Sequence, residues 1–199
     1  MSASRFVLAT ANPDKAMEIV AIMSQVGDVE LLARPGDIGE IEETGDTLLE
    51  NARIKALALC EASGEVAIAD DTGLEVDGLG GAPGVWSARY AGADATYDDN
   101  VNKMLTELGG SDDRTARFVT VAFAAFPDGT EIFATGEVVG QITAERRGDS
   151  GFGYDPIFAP DEADGRTFAQ MTATDKNAIS HRGRAFRALA EQLGDMGLL

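Results

Sequence analysis

Residues Val66 to Tyr90 read VAIADDTGLEVDGLGGAPGVWSARY, and the fold is read outward from this stretch. Four small apolar residues predict a buried strand that ends on the adjacent carboxylates Asp70 and Asp71, with a break at Thr72-Gly73. Two neighbouring carboxylates at the end of an apolar strand repel each other unless cations or hydrogen bonds compensate them, and a divalent metal held against phosphates does this well. A solvated turn in an acidic protein is the competing reading. Leu74, Val76 and Leu79 then resume an apolar pattern before Gly80-Gly81-Ala82-Pro83-Gly84, which places the turn inside the fold rather than at a loop tip.

The 199 residues are enough for a sizeable core without metals or disulfides. Apolar residues make up 44% of the chain, yet no apolar run approaches the roughly 18 residues of a membrane span. Met1 to Thr10 has neither a basic start nor a small-residue cleavage site. The expectation is a cytoplasmic globular protein with no membrane partner. Cys60, the single cysteine, reads as a small core residue of a reduced compartment, which excludes disulfide and zinc-cluster classes. With 34 acidic against 16 basic side chains the formal charge is -18, which opposes binding to polymeric nucleic acid. Any phosphate must therefore be small and met locally. The scarce cations Lys15, Lys176, Arg182, Arg184 and Arg187, with the lone His181, are the groups available for it.

Phe6 to Ala9 predicts a strand, Asn12 an N-cap with Pro13 at the first helical position, and a helix running to Val26 before Gly27. A helix amino end beside Asn12 and Lys15 suits a phosphate through open amides, the dipole and one mobile cation. Simple capping by Asn12 and a solvated Lys15 is the alternative. Val29 to Ala33 predicts a second strand, and Pro35-Gly36 opens an irregular acidic segment holding Glu40, Glu42 and Glu43. Thr47 and Glu50 have capping-box spacing ahead of a helix to about Ala62. Asn51 and Lys55 lie one turn apart on it, either lining a site or simply exposed. Thr96 and Asp99 repeat the box before a helix over Tyr97 to Leu108. Phe118 to Phe126, Glu131 to Gly136 and Glu137 to Thr143 predict strands, the first two joined as an antiparallel hairpin through Pro127-Asp128-Gly129. Gly151-Phe152-Gly153-Tyr154-Asp155-Pro156 pairs a stacking ring with glycines that let a flat ligand approach; Phe152 and Tyr154 as mere seam fillers is the alternative. Thr174 is expected to start a short helical turn holding Lys176, before a final helix whose face carries Arg182, Phe186, Leu189 and Leu193.

In their order and spacing these segments resemble the inosine triphosphate pyrophosphatase family, the HAM1-like non-canonical purine nucleoside triphosphate pyrophosphatases. The resemblance runs through Thr10-Ala11-Asn12-Pro13-Asp14-Lys15, Glu42-Glu43-Thr44-Gly45, Ala69-Asp70-Asp71-Thr72-Gly73-Leu74, Ser87-Ala88-Arg89-Tyr90, Gly151 to Pro156 and Lys176 to Gly183, and so covers nearly the whole chain. Ala11 stands where the family commonly has glycine, and Thr72 where many members have serine.

The resemblance implies an α/β class: an elongated two-lobed fold with a long mixed β-sheet, flanking helices and a central nucleotide cleft. It implies a single pyrophosphatase domain over residues 1–199, with lobes formed by non-contiguous segments, and assembly as a homodimer. The implied activity is magnesium-dependent hydrolysis of ITP, dITP and XTP to monophosphate and pyrophosphate, which cleanses the nucleotide pool. Asp71 is the implied proton acceptor, and Glu43 with Asp71 the implied holders of Mg2+. Thr10, Asn12, Lys15 and Thr72 are carried over toward the substrate, as are Phe152, Gly153, Tyr154 and Asp155, and Lys176, His181 and Arg182. Asp70, Lys55 and Asn51 are further candidates, Asp70 as the runner-up for either carboxylate role. A nucleotide sensor without turnover and a pyrophosphatase for modified pyrimidine nucleotides are the alternative functions.

Overall fold

A computed structural model describes residues 4–35, 38–39 and 41–199; the readings that touch Gly36 and Glu40 lie outside the described residues. Strand β1 (Ser4–Leu8) leads into helix α1 (Pro13–Met23), strand β2 (Val29–Leu32) and helix α2 (Leu48–Ser63). Strand β3 (Ala67–Val76), the two-residue β4 (Pro83–Gly84) and helix α3 (Tyr97–Glu107) follow. The chain then forms β5 (Thr115–Ala125), β6 (Glu131–Ile142) and β7 (Phe158–Pro160), and ends in helices α4 (Ala173–Ile179) and α5 (His181–Asp195).

Seven strands form one mixed sheet in the order β2-β1-β3-β5-β6-β7, with β4 paired to β3 off this path. Strand β1 runs parallel to β2 and to β3, whereas β3 with β4 and β6 with β7 are antiparallel. The turn at 127–129 closes a hairpin: Phe126 N–H donates to Thr130 O at one end and Ile142 N–H to Arg114 O at the other. Among the described residues no helix is long and apolar enough to cross a membrane.

The chain divides into two compact units, one made of residues 1–71, 120–136 and 181–199, the other of 72–119 and 137–180. In the first, strand alternation sorts the core onto two faces. Phe6, Leu8, Ile68, Ala122 and Ala124 pack with Ile19, Ile22 and Met23 of α1 and with Phe186, Leu189 and Leu193 of α5. Val7, Ala9, Ala67, Ala69, Val121 and Phe123 pack on the other face with Ala52, Ala56 and Leu59 of α2. Gly136 lets α5 settle on β6, since a Cβ there would stand 2.1 Å from His181 O. The second unit has its own core of Leu74, Val76, Met104, Phe118, Phe158 and Phe168.

Four local expectations are corrected. Strand β3 does not end at the aspartates but runs unbroken through Asp70, Asp71, Thr72 and Gly73, because each carboxylate finds a cation on its own face of the sheet. Helix α1 stops at Met23, with Ser24 as C-cap, ahead of the expected Val26. The segments 131–136 and 137–143 are one strand rather than two. Helix α4 is capped by Thr172, whose hydroxyl accepts from Asp175 N, and not started by Thr174. Both predicted capping boxes, Thr47 with Glu50 and Thr96 with Asp99, are formed.

Candidate functional site

The alternation that sorts the core also separates Asp70 from Asp71. Asp70 shares the Ile68 face with α1 and α5; Asp71 shares the Ala69 face with α2. Neighbours in sequence, they stand in different electrostatic surroundings.

On the first face the Asp70 side chain is completely buried and meets Lys15 Nζ at 3.2 Å. The Arg182 guanidinium, 2% exposed, donates to Asp70 Oδ2 through Nε and Nη2, each at 3.4 Å, and to Glu18 Oε2 through Nη1 at 2.5 Å. Burial alone would push the Asp70 carboxyl up; Lys15, Arg182 and Lys55 outweigh it and hold the group well below the usual carboxylate range. A carboxylate so held is a fixed anion and a poor proton acceptor. Arg182 is likewise fixed as a cation: burial opposes its charge, and Asp70 and Glu18 more than restore it. Glu18 carried no sequence signal, since a helical Glu beside Met17 and Ile19 looks like surface.

On the second face Lys55 Nζ lies between two carboxylates, at 2.7 Å from Glu43 Oε1 and 3.0 Å from Asp71 Oδ1. Asn51 explains how an irregular segment delivers Glu43 to that point. Its Oδ1 accepts from Gly45 N at 2.8 Å and ties the 41–45 chain to α2, and Gly45 has no room for a Cβ, which would fall 2.5 Å from Glu50 Cβ. Asn51 and Lys55 are thus buried rather than on an exposed helix face. The balance at Asp71 is opposite to that at Asp70. Burial and the Glu43 charge outweigh the cations Lys55 and Lys15, and the Asp71 carboxyl is raised above its ordinary value. Its Oδ2 is buried and, among the described residues, has no hydrogen-bond donor.

That open oxygen is the test for a hard cation. Magnesium takes oxygen ligands and commonly uses one or two carboxylates together with substrate phosphates. Among the described residues no group of three or more His, Cys, Asp or Glu could hold a metal by itself. Asp71 and Glu43 fit a cation shared with a polyphosphate, not one caged by protein alone.

The amino end of α1 differs from the expected cradle of open amides. Asn12 Oδ1 accepts from Asp14 N at 2.9 Å and Lys15 N at 3.2 Å, Ala16 N donates to Asn12 O, and Pro13 has no N–H. Thr10 Oγ1 in turn accepts from Asn12 N at 3.1 Å. Asn12 therefore caps, and what this end offers an anion is the dipole and Lys15. His181 is buried as the first residue of α5.

The second unit brings together Phe152, Gly153, Tyr154, Asp155 and Lys176. Gly151 and Gly153 adopt φ of 75° and 60°, and a Cβ on Gly151 would meet Asp155 Oδ2, so glycine is required there. Asp155 Oδ2 accepts from Phe152 N at 2.9 Å and forms a short ion pair with Lys176. The same ammonium lies 4.8 Å from the centre of the Phe152 ring. Phe152 is half-buried, and the sequence reading missed Tyr97, whose ring contacts it. Tyr154 is a core residue, its hydroxyl donating to Ser87 O at 2.9 Å. Thr72, half-buried on β3, begins this unit.

The sequence model of the Ham1 family matches residues 6–192. A dITP/XTP pyrophosphatase of Chlorobaculum tepidum is 47% identical, the match covering 95% of this chain and 92% of that protein. One from Bacillus subtilis is 45% identical over 94% and 96% of the two chains. A solved HAM1 protein structure from Coxiella burnetii, 37% identical, superposes with a TM-score of 0.87 and covers 98% of this chain and 100% of that one.

Proposed function

Because the chain belongs to the Ham1 family, we propose that it hydrolyses ITP, dITP and XTP to the nucleoside monophosphate and pyrophosphate, with Mg2+. The observation that carries this reading is the division of labour between the paired aspartates: Asp70 locked between Lys15 and Arg182, Asp71 raised and holding one open buried oxygen. A site that only recognised phosphate would gain little from a second anion, whereas hydrolysis needs a group that takes a proton from water.

Asp71 accepts that proton as the water oxygen adds to phosphorus and the bond to the bridging oxygen breaks. Lys15 and Lys55 counter the charge of the polyphosphate. Glu43 and Asp71 would hold the magnesium, which when bound screens the phosphates and makes water more acidic. Lys55, lying between the two carboxylates, keeps them close despite their repulsion. Phe152 takes the face of the base. The purine six-position carbonyl, an acceptor in inosine and xanthosine where adenosine has a donor, selects a donor on the protein, for which Lys176, beside Phe152, is proposed. A missing partner there costs about 1–3 kcal/mol.

Incubation of the purified chain with a panel of nucleoside triphosphates, with Mg2+ or with EDTA, tests this directly. Release of monophosphate and pyrophosphate from inosine and xanthosine nucleotides, and its loss with EDTA, is expected. Binding without turnover sinks the proposal in favour of a sensor, and preference for a modified pyrimidine sinks the substrate class. A homodimer, which rests on the resemblance, and a cytoplasmic location, which rests on the sequence reading, belong to the same proposal; light scattering and cell fractionation test them.

A further inference from the structure

Helix α3 begins with an aromatic side chain that none of the roles above uses. Tyr97 is 42% exposed, and its ring centre lies 5.8 Å from that of Phe152 with the planes at 43°, a tilted aromatic contact within the favourable range. Neither partner of this contact is placed casually. The Thr96 and Asp99 capping box fixes the first turn of α3 and so the direction in which Tyr97 leaves the helix. Arg146, on the segment that leads into Phe152, reaches back to the same turn. Its Nη1 meets Asp98 Oδ1 at 2.5 Å, and its Nη2 donates to Asn102 Oδ1 at 2.9 Å. The helix end and the Gly151-Phe152-Gly153 turn are thus tied twice, once by charge and once by rings.

Phe152 needs such a tie. Both its neighbours are glycines with positive φ, which bring no side chain against its ring. Asp155 holds its backbone amide, not its side chain. Among the groups that touch the ring are Lys176, over it at 4.8 Å, and Tyr97 beside it.

We infer that Tyr97 is a positioning residue for purine recognition, bracing the Phe152 ring in the attitude in which a base stacks on it. The inference deepens the proposed function and rests on Phe152 as the platform for the base. Since stacking is indifferent to the polar edge of the ring, Tyr97 raises affinity for inosine, xanthosine and guanosine nucleotides alike.

The test compares the full chain with its Tyr97→Ala, Tyr97→Leu and Tyr97→Phe variants. It measures calorimetric Kd for ITP without metal, and KM and kcat with Mg2+ on ITP, XTP and GTP. Tyr97→Ala and Tyr97→Leu are expected to weaken Kd and raise KM roughly three- to tenfold for all three nucleotides, with kcat within about twofold, while Tyr97→Phe keeps the parent values. If Tyr97→Ala fails to fold, Tyr97→Leu keeps the bulk without the aromatic face and decides alone. Parent-like Kd in Tyr97→Leu overturns the inference, as does a change confined to melting temperature. A parent that binds ITP in a Tyr97-dependent way without hydrolysing it leaves this inference standing and removes the hydrolase; a parent that does not bind ITP removes both.

Discussion

Replacing Arg182 by alanine separates an anchor from a reader of the base. The guanidinium is 2% exposed and divides its donors between Asp70 and Glu18. Its removal takes from a fully buried carboxylate one of the three cations, Lys15, Arg182 and Lys55, that hold it low. Breaking a buried ion pair from one side typically costs about 3–5 kcal/mol, because the surviving charge has no water to return to. Against a total stability on the order of 5–15 kcal/mol, that is a large share, and at roughly 2–4 °C per kcal/mol for a chain of this size it lowers Tm by roughly 6–20 °C. Urea unfolding monitored by far-ultraviolet circular dichroism, with the slope checked against the parent, measures the loss. A cycle with Asp70→Asn and Arg182→Met is expected to be strongly non-additive, the double variant losing less than the sum of the singles. If Arg182→Ala instead leaves the unfolding free energy within about 0.5 kcal/mol of the parent while the ITP-to-ATP ratio of kcat/KM collapses, the anchor argument is wrong and Arg182 reads the base.

Asp71→Asn is expected to lower kcat about 10²- to 10⁴-fold, the usual worth of a positioned proton acceptor, without loss of folding stability, because burial already disfavours the charge it removes; full activity would shift the role elsewhere. The pH dependence of stability follows from Asp70, whose folded carboxyl is depressed. Its contribution is complete above the unfolded carboxylate value near pH 4 and is lost as pH falls through the lower folded value, so the parent loses stability on that limb and Asp70→Asn shows a flatter one in urea titrations. Lys15→Ala should cut turnover far more than it cuts Tm, since its side chain retains 20% exposure and Arg182 still holds Asp70; parent-like kcat/KM would remove Lys15 from phosphate handling.

What the sequence determined by itself is what nearest neighbours decide. The capping boxes at Thr47 with Glu50 and Thr96 with Asp99 form because each needs only four consecutive residues and a helix start. The hairpin through Pro127-Asp128-Gly129 and the apolar face of α5 are legible for the same reason. The ordered motifs from Thr10 to Gly183 carry the family. The tertiary structure alone decided which aspartate does what. Read along the chain, Asp70-Asp71 is one acidic pair at the end of a strand. Folded, the period of two sends Asp70 to α1 and α5 and Asp71 to α2, so one meets Lys15 and Arg182 and the other Lys55 and Glu43. The strand continues through both because each charge is met where it points, and those cations come from 16, 55 and 112 positions away or equally remote segments. Glu18 and Tyr97 were illegible on the same ground, and Arg182, legible as a candidate cation, was not legible as the partner of Asp70 and Glu18: a charged or aromatic residue on a helix face has no local partner to betray it, and its role is set by which distant segment the sheet brings against that face.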